Sequence, residues 1–306
     1  MKLSIVVPLF NEEDSLRDLT KAIDIAIAPR KHEYEIVFVD DGSTDHSPDI
    51  CKELHGQYPQ KIKMYRFSRN YGKSAALSLG IEKASGDTII TMDADLQDDP
   101  SAIPSMLEKL NEGYDVVSGW KKRRKDPITK TFPSLLYNGL TRLVSGVKIH
   151  DFNCGFKAYR APVAKTLEIY GERHRYLPVL AHWDGYRVAE VVVPHHPRKY
   201  GKSKFGISRA TGMFDLLTLL FLRKYMRKPL HFFGLLGLIL FLAGSTVLGY
   251  FGIQWLITGE MHVRPLVLLS VGAIIMGIQF VSIGLIGEMI THSVPKHRYS
   301  VRESIE

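Results

Sequence analysis

Cysteine is nearly absent: Cys51 and Cys154 are the only two among 306 residues, far apart and in unrelated surroundings. Neither a disulfide framework nor a cysteine-built zinc site is indicated, and a reducing compartment fits. No G-x-G-x-x-G opens a helix after the first apolar run, which counts against a nicotinamide or flavin fold. A Walker A sequence and a G-x-S-x-G nucleophile elbow are missing too. The opening run Met1 to Pro8 is too short for a signal peptide, and Asn11-Glu12-Glu13-Asp14 ends it, so it reads as a first strand.

Charge is what two later stretches lack. The mean hydropathy of −0.04 hides a sharp division, because Phe232–Ile257 and Pro265–Ile290 are almost free of charged residues. Each exceeds the roughly 20 helical residues that cross a hydrocarbon core of about 30 Å. The connector Thr258-Gly259-Glu260-Met261-His262-Val263-Arg264 is short, so the pair is expected as an antiparallel hairpin within residues 229–292. Ser245/Gly249 and Ala273/Gly277 offer small-xxx-small spacing for close helix contact. Arg223, Lys224, Arg227 and Lys228 precede the first span, and Lys296, His297 and Arg298 follow the second. By the positive-inside rule both termini face the cytoplasm, with residues 293–306 as a cytoplasmic tail. Met213–Leu222 is apolar but too short to span, so residues 207–228 read as an interfacial helix. The net charge of +8 is then a membrane-surface signature. No recognition helix or aromatic-basic interleaving supports nucleic acid as a partner.

Up to about Tyr200 the chain alternates strand and helix signals. Leu3–Leu9, Tyr34–Val39, Ile62–Phe67, Thr88–Met92 and Asp115–Ser118 read as strands. Glu13–Ala28, Asp45–His55 and Lys73–Ala84 read as helices. This predicts an α/β domain over residues 1–206 with a mostly parallel sheet, whose ligands lie at the carboxyl ends of its strands. Pro8–Glu12, Asp40–Asp45 and Asp93–Gln97 all fall at such ends.

Asp93-Ala94-Asp95-Leu96-Gln97 carries the most chemistry. Two carboxylates one residue apart at the mouth of a strand repel by roughly 4 kcal/mol at about 4 Å and an effective dielectric of about 20. A hard divalent cation reverses the sign, and Mg²⁺ or Mn²⁺ takes one or two protein carboxylates plus phosphate oxygens. A solvated acidic turn is the plainer alternative for an isolated D-x-D. In Asp40-Asp41-Gly42-Ser43-Thr44-Asp45, a turn and helix cap accounts for Gly42 to Asp45, which leaves Asp41 as the residue for binding. Adjacent His195 and His196 on an extended segment point to opposite faces, so they read as non-ligands.

Taken together, Pro8-Leu9-Phe10-Asn11-Glu12, Val39–Asp45, Arg69-Asn70-Tyr71-Gly72-Lys73 and Asp93–Gln97 resemble the family 2 glycosyltransferases of GT-A fold. Ser118-Gly119-Trp120, Asp151–Lys157 and His196–Lys204 narrow the resemblance to the polyprenyl-phosphate glycosyltransferases, including dolichol-phosphate mannose synthase and GtrB-type glucosyltransferases. The resemblance implies a nucleotide-sugar donor, a polyprenyl-phosphate acceptor, a lipid bilayer and Mg²⁺ or Mn²⁺. It implies that Pro8, Phe10, Asn11, Glu12 and Asp41 line the nucleoside pocket, with Asn70, Gly72 and Lys73 nearby. Asp93 and Ala94 would lie beside ribose and diphosphate, and Asp95 and Gln97 would ligate the metal. An Arg common after the strand ending at Ser118 is replaced here, leaving its duty open among Lys121, Lys122, Arg123 and Arg124, with Lys121 first in line.

A lipid phosphate, with a second pKa near 6 (about), is already a nucleophile at neutral pH and requires no Ser-His-Asp relay. It requires cations that hold it, and Arg198, Lys202 and Lys204 lie on a Gly-containing loop suited to that, although a solvated basic loop beside anionic lipid would look the same. Asp151 is the candidate carboxylate near the reaction centre, with loop anchoring as its rival. Glu172, Arg173, His174 and Arg175 form a second polar cluster, either reaching sugar or phosphate or solvating a helix start. The expected reaction is inverting transfer of a hexose, glucose from UDP-glucose, to undecaprenyl phosphate on the cytoplasmic face of a bacterial inner membrane. GDP-mannose is the alternative donor. A processive polysaccharide synthase would carry Q-x-x-R-W and more spans, and a silent membrane scaffold is the non-enzyme rival. Homo-oligomerisation is left open by the sequence.

Overall fold

The computed structural model describes residues 1–30, 32–122, 138–139, 141–143, 145–167, 169, 171, 173–197, 199, 229–259, 265–293 and 301–305. The chain divides into two compact units, Met1–Arg209 with His297–Glu306, and Ala210–Lys296.

The first unit is built on β1 (Lys2–Leu9), β2 (Glu33–Asp40), β3 (Ile62–Phe67), β4 (Thr88–Thr91), β5 (Val116–Trp120), β6 (Lys157–Arg160), β7 (Val188–Val192) and β8 (Val301–Ile305). Their order in one sheet is β7-β5-β6-β4-β1-β2-β3-β8. The run β3-β2-β1-β4 is parallel, and its strands lead into α1 (Leu16–Ile27), α2 (Ser47–Gln57), α3 (Lys73–Lys83) and α4 (Ile103–Asn111). After Lys2, every residue of β1 is buried. Alternation explains this: Ile5 and Val7 pack with Leu19 of α1 and Met106 of α4, while Val6 packs with Val37, Val39 and Leu77 of α3. A strand covered on both faces reads as an unbroken apolar run, so these strands and α1, α2 and α3 fall within a few residues of expectation, while α4 is an addition to the predicted elements.

Beyond β4 the sheet is mixed. β6 runs antiparallel to both β4 and β5, and β7 is parallel to β5. The helices α5 (Ala161–Thr166) and α6 (Leu177–Trp183) join α3 on one face of the sheet. Residues 293–306, expected as a tail, include β8, which pairs antiparallel with β3 from Met64↔Ile305 to Phe67↔Val301.

The second unit is a pair of helices, α7 (Pro229–Thr258) and α8 (Pro265–Ser293). Both are long and apolar enough to cross a membrane. Leu256, Ile257 and Met289 are 75%, 79% and 70% exposed, the reverse of what the core helices of a water-soluble protein show. The buried positions among the described residues of the hairpin are Gly237 and Gly244 on α7, and Ser270, Gly277 and Gly284 on α8. A Cβ on Gly277 would stand 2.6 Å from the Gly237 carbonyl. The contact therefore repeats every seven residues, the seam of a left-handed helix pair, instead of the expected Ser245/Gly249 spacing. Gly249 has nothing within 4 Å of such a Cβ. Residues 207–228, expected as an interfacial helix, lie outside the described residues.

Candidate active site

The carboxyl ends of β1, β2 and β4 surround a cleft of about 290 Å³, lined by Pro8, Leu9, Phe10, Glu12, Asp41, Asn70, Gly72, Lys73, Ala76, Asp93, Ala94 and Asp95. The loops that shape it are laced to one another. The Asn11 N–H donates to Ser43 Oγ at 2.8 Å, and Asn11 Oδ1 accepts from the Thr44 N–H at 2.8 Å. Asn11 is thus a staple between two loops and is not among the lining residues. Asp40 ties down the same turn, accepting from the Ser43 N–H at 2.9 Å and pairing with Arg66 at 3.1 Å. Gly42 has φ +77° and packs so closely that a Cβ would stand 2.6 Å from the Arg69 carbonyl carbon, so no larger residue fits this turn.

Asp41 reaches the other way. Its carboxylate accepts from the backbone N–H groups of Tyr71 at 2.7 Å and Gly72 at 2.9 Å, which fixes the loop entering α3. Burial and the adjacent Asp40 raise its pKa, although the two N–H groups work against them. From the first residue of α3, Lys73 forms an ion pair with Asp93 across the cleft. Burial alone would raise Asp93, but the ammonium groups of Lys73 and Lys121 outweigh it and hold the carboxyl well below its usual range.

Asp95 is buried, and its Oδ1 accepts from the Gln97 N–H at 3.2 Å across Leu96, whose φ is +59°. Asn11 and Leu96 are the only described non-glycine residues with positive φ. Both flank the cleft, where strained backbone concentrates in functional sites. Among the described residues no three His, Cys, Asp or Glu side chains converge as a complete cation site. One acid at the mouth of a strand, beside an open cleft, suits a hard cation whose remaining ligands come from a diphosphate. The side chain of Gln97 is not part of the cleft wall, but its backbone carbonyl accepts from the His196 N–H at 3.0 Å.

The remaining expected residues are placed differently. Lys121 pairs with buried Asp98 at 2.6 Å, so its charge is already matched within the protein. Asp151 is 2% exposed and absent from the cleft wall, and its Oδ1 accepts from the Asn153 N–H at 3.1 Å. His174 bonds Ser74 at 2.9 Å, and burial, then Lys73, push its pKa well down, leaving a neutral ring. His196 bonds Asp99 at 3.0 Å. Arg123, Arg124, Glu172, Arg198, Lys202 and Lys204 lie outside the described residues. Sequence reasoning missed Asp98 and Lys157, both buried. A lysine set between the apolar residues Phe156 and Ala158-Tyr159 was the available signal for the second.

The sequence profile of glycosyl transferase family 2 matches residues 4–167. The chain belongs to that family and, within it, to the polyprenyl-phosphate glycosyltransferases of GT-A fold. It is 38% identical over 299 residues to the dodecaprenyl-phosphate galacturonate synthase of Rhizobium johnstonii, covering 96% of this chain and 88% of that one. It is 36% identical over 296 residues to the undecaprenyl-phosphate 4-deoxy-4-formamido-L-arabinose transferase of Edwardsiella ictaluri, covering 94% and 88%. In fold it is similar to glucosyl-3-phosphoglycerate synthase from Mycobacterium tuberculosis, solved with Mn²⁺, uridine diphosphate and phosphoglyceric acid. That match has a TM-score of 0.53 at 18% identity and covers 72% of this chain and 78% of that one.

Proposed function

We propose that the protein is a membrane-anchored glycosyltransferase that moves a sugar from a nucleotide donor to a polyprenyl phosphate. The observation that carries this reading is the cleft, where Lys73, Asp93 and Asp95 share a wall with Pro8, Phe10 and Asp41 at the carboxyl edge of the sheet. The nucleoside would lie against Pro8, Phe10, Glu12 and Asp41, and the diphosphate beside Lys73 and Asp93. Asp95, with Gln97, would hold Mg²⁺ or Mn²⁺, which when bound neutralises charge on the leaving diphosphate. Lys73 adds a fixed positive charge at the same place.

The acceptor phosphate oxygen attacks the anomeric carbon while the bond to the diphosphate breaks, and the electron pair leaves with the nucleoside diphosphate. No proton has to move, so no general base is required. A single in-line displacement inverts the centre, giving a β-linked product from an α-linked donor. Arg198, Lys202 and Lys204 keep their proposed role as acceptor-phosphate cations. The pairing of His196 with Gln97 supports it, because the chain leading into Arg198 runs beside the metal motif. For Asp151, buried and outside the cleft wall, the two roles of orienting a sugar hydroxyl and of anchoring its loop both stand, and its bond from the Asn153 N–H supports the anchoring.

The chain up to Arg209 and from His297 onward belongs to the first unit, in which β8 pairs with β3. This supports a hairpin whose two ends emerge on one side of the membrane. The basic residues flanking the spans support the cytoplasmic side. For the sugar, two readings stand. Ser118-Gly119-Trp120 favours glucose from UDP-glucose, while the full-length relatives carry galacturonate and 4-deoxy-4-formamido-L-arabinose in their names.

The test is purified protein in nanodiscs with undecaprenyl phosphate, Mg²⁺ or Mn²⁺, and radiolabelled UDP-glucose, UDP-galacturonate, UDP-4-deoxy-4-formamido-L-arabinose or GDP-mannose. Label should enter the organic phase with one of them. No transfer from any donor would favour the silent scaffold.

A further inference from the structure

Lys157 is a buried charge that the chemistry above leaves unused. It opens β6, opposite Thr91 of β4 and Ser118 of β5, and is 2% exposed. Among the described residues no carboxylate lies within ion-pair distance of it, and its ammonium donates to the Cys154 carbonyl. Burial, then repulsion from Lys73, brings its pKa down to about 8, while Asp151 and Asp93 pull the other way. A cation buried without a counter-ion lowers stability, so its presence calls for a different benefit.

The turn it closes supplies that benefit. Three successive carbonyls are each held: Cys154 by the Lys157 ammonium, Gly155 by Thr91 Oγ1 at 2.9 Å, and Phe156 by the Gly119 N–H at 2.9 Å. Two of these anchors belong to neighbouring strands, and Lys157 provides the third at the outer end of the turn. The middle residue presses on the active-site acid, since a Cβ on Gly155 would stand 2.7 Å from Asp93 Oδ1.

We propose that Lys157 is a positioning residue: it clamps the Cys154–Gly155 turn as the wall that keeps the Asp93 carboxylate aligned with Lys73. The inference rests on reading the cleft as the donor site. Lys157→Met, made in the full-length protein, should keep or raise the Tm and raise the donor KM on the order of tenfold. The KM for undecaprenyl phosphate should stay within about twofold, because that substrate does not use Asp93. A smaller folded fraction would lower kcat alone and leave both KM values unchanged. An unchanged donor KM, an equal rise in both KM values, or a variant that does not fold would overturn the proposal, with transfer by the wild type still supporting the glycosyltransferase reading. If the wild type transfers from no donor, that reading fails, and a structure of the variant decides the role of Lys157. Gly155 displaced from Asp93 by about 1 Å or more supports it, and an unmoved turn overturns it.

Discussion

On the β1–β4 side of the sheet, Asp41, Asp93 and Asp95 stand in a cleft wall, and Lys73 is the cation beside them. On the β5–β7 side, the charges are closed among themselves: Lys121 with Asp98, His150 with Glu190, and Lys157 on a carbonyl. Trp120 stacks on the His150 ring at 4.1 Å. Charge that lines a cleft is within reach of a ligand even where, as for Lys73 and Asp93, it is already paired, whereas charge matched away from the cleft holds a shape. The first half of the sheet is therefore read as reactive and the second as the frame that aims it.

The strongest way to break this contrast is Asp95→Ala. Transfer should fall about a thousandfold, ~4 kcal/mol in barrier, with the fold intact. More than a tenth of wild-type turnover at saturating Mn²⁺ would remove Asp95 from the mechanism. Lys121→Met should act on stability instead. It strands the buried Asp98 carboxylate, at about 3 kcal/mol or more in thermal or denaturant unfolding, and Lys121→Met/Asp98→Asn should recover much of the loss. A Lys121→Met protein of normal stability that has lost lipid-phosphate use would move Lys121 to the reactive side.

The pH response of Lys157 sharpens the contrast further. Its folded pKa of about 8 lies below the ordinary lysine value, so the unfolded chain binds the extra proton between about pH 8 and 10.5. Stability should rise with pH across that window by about 3 kcal/mol, relative to Lys157→Met, in which the rise is missing. Parallel curves for the two proteins would mean that the ammonium is not buried in solution. The smallest expected effect is from Gly155→Ala, which pushes a methyl group into Asp93 from the framing side. Transfer should drop about thirtyfold, ~2 kcal/mol, with Tm little changed. Full activity would show that Asp93 has room to shift.

Legibility followed the same divide. β1, β2 and β4 are largely apolar runs with an acid at the end or within three residues of it, so both the parallel half and its cleft could be read from local pattern. All but one of the residues expected around the nucleotide line one cavity. Asn11 is the exception, because an asparagine after a strand can equally bond a neighbouring loop. β6 was missed because it is four residues long, with a charge at each end. β8 was missed because its partner β3 lies across the whole hairpin in sequence, and no local pattern signals a pairing over that distance.

Periodicity and composition by themselves determined the parallel αβ repeat, the two spans and the acid motif at a strand end. Each of these depends on neighbours within a few residues: a buried face, a hydrocarbon length, two carboxylates too close to stand unaided. Only the tertiary structure decided which charges are open and which are closed. The partners of Lys121, Lys157 and Asp93 come from separate strands and helices, and a charge meets a ligand only where the packed fold sets it in a cleft wall.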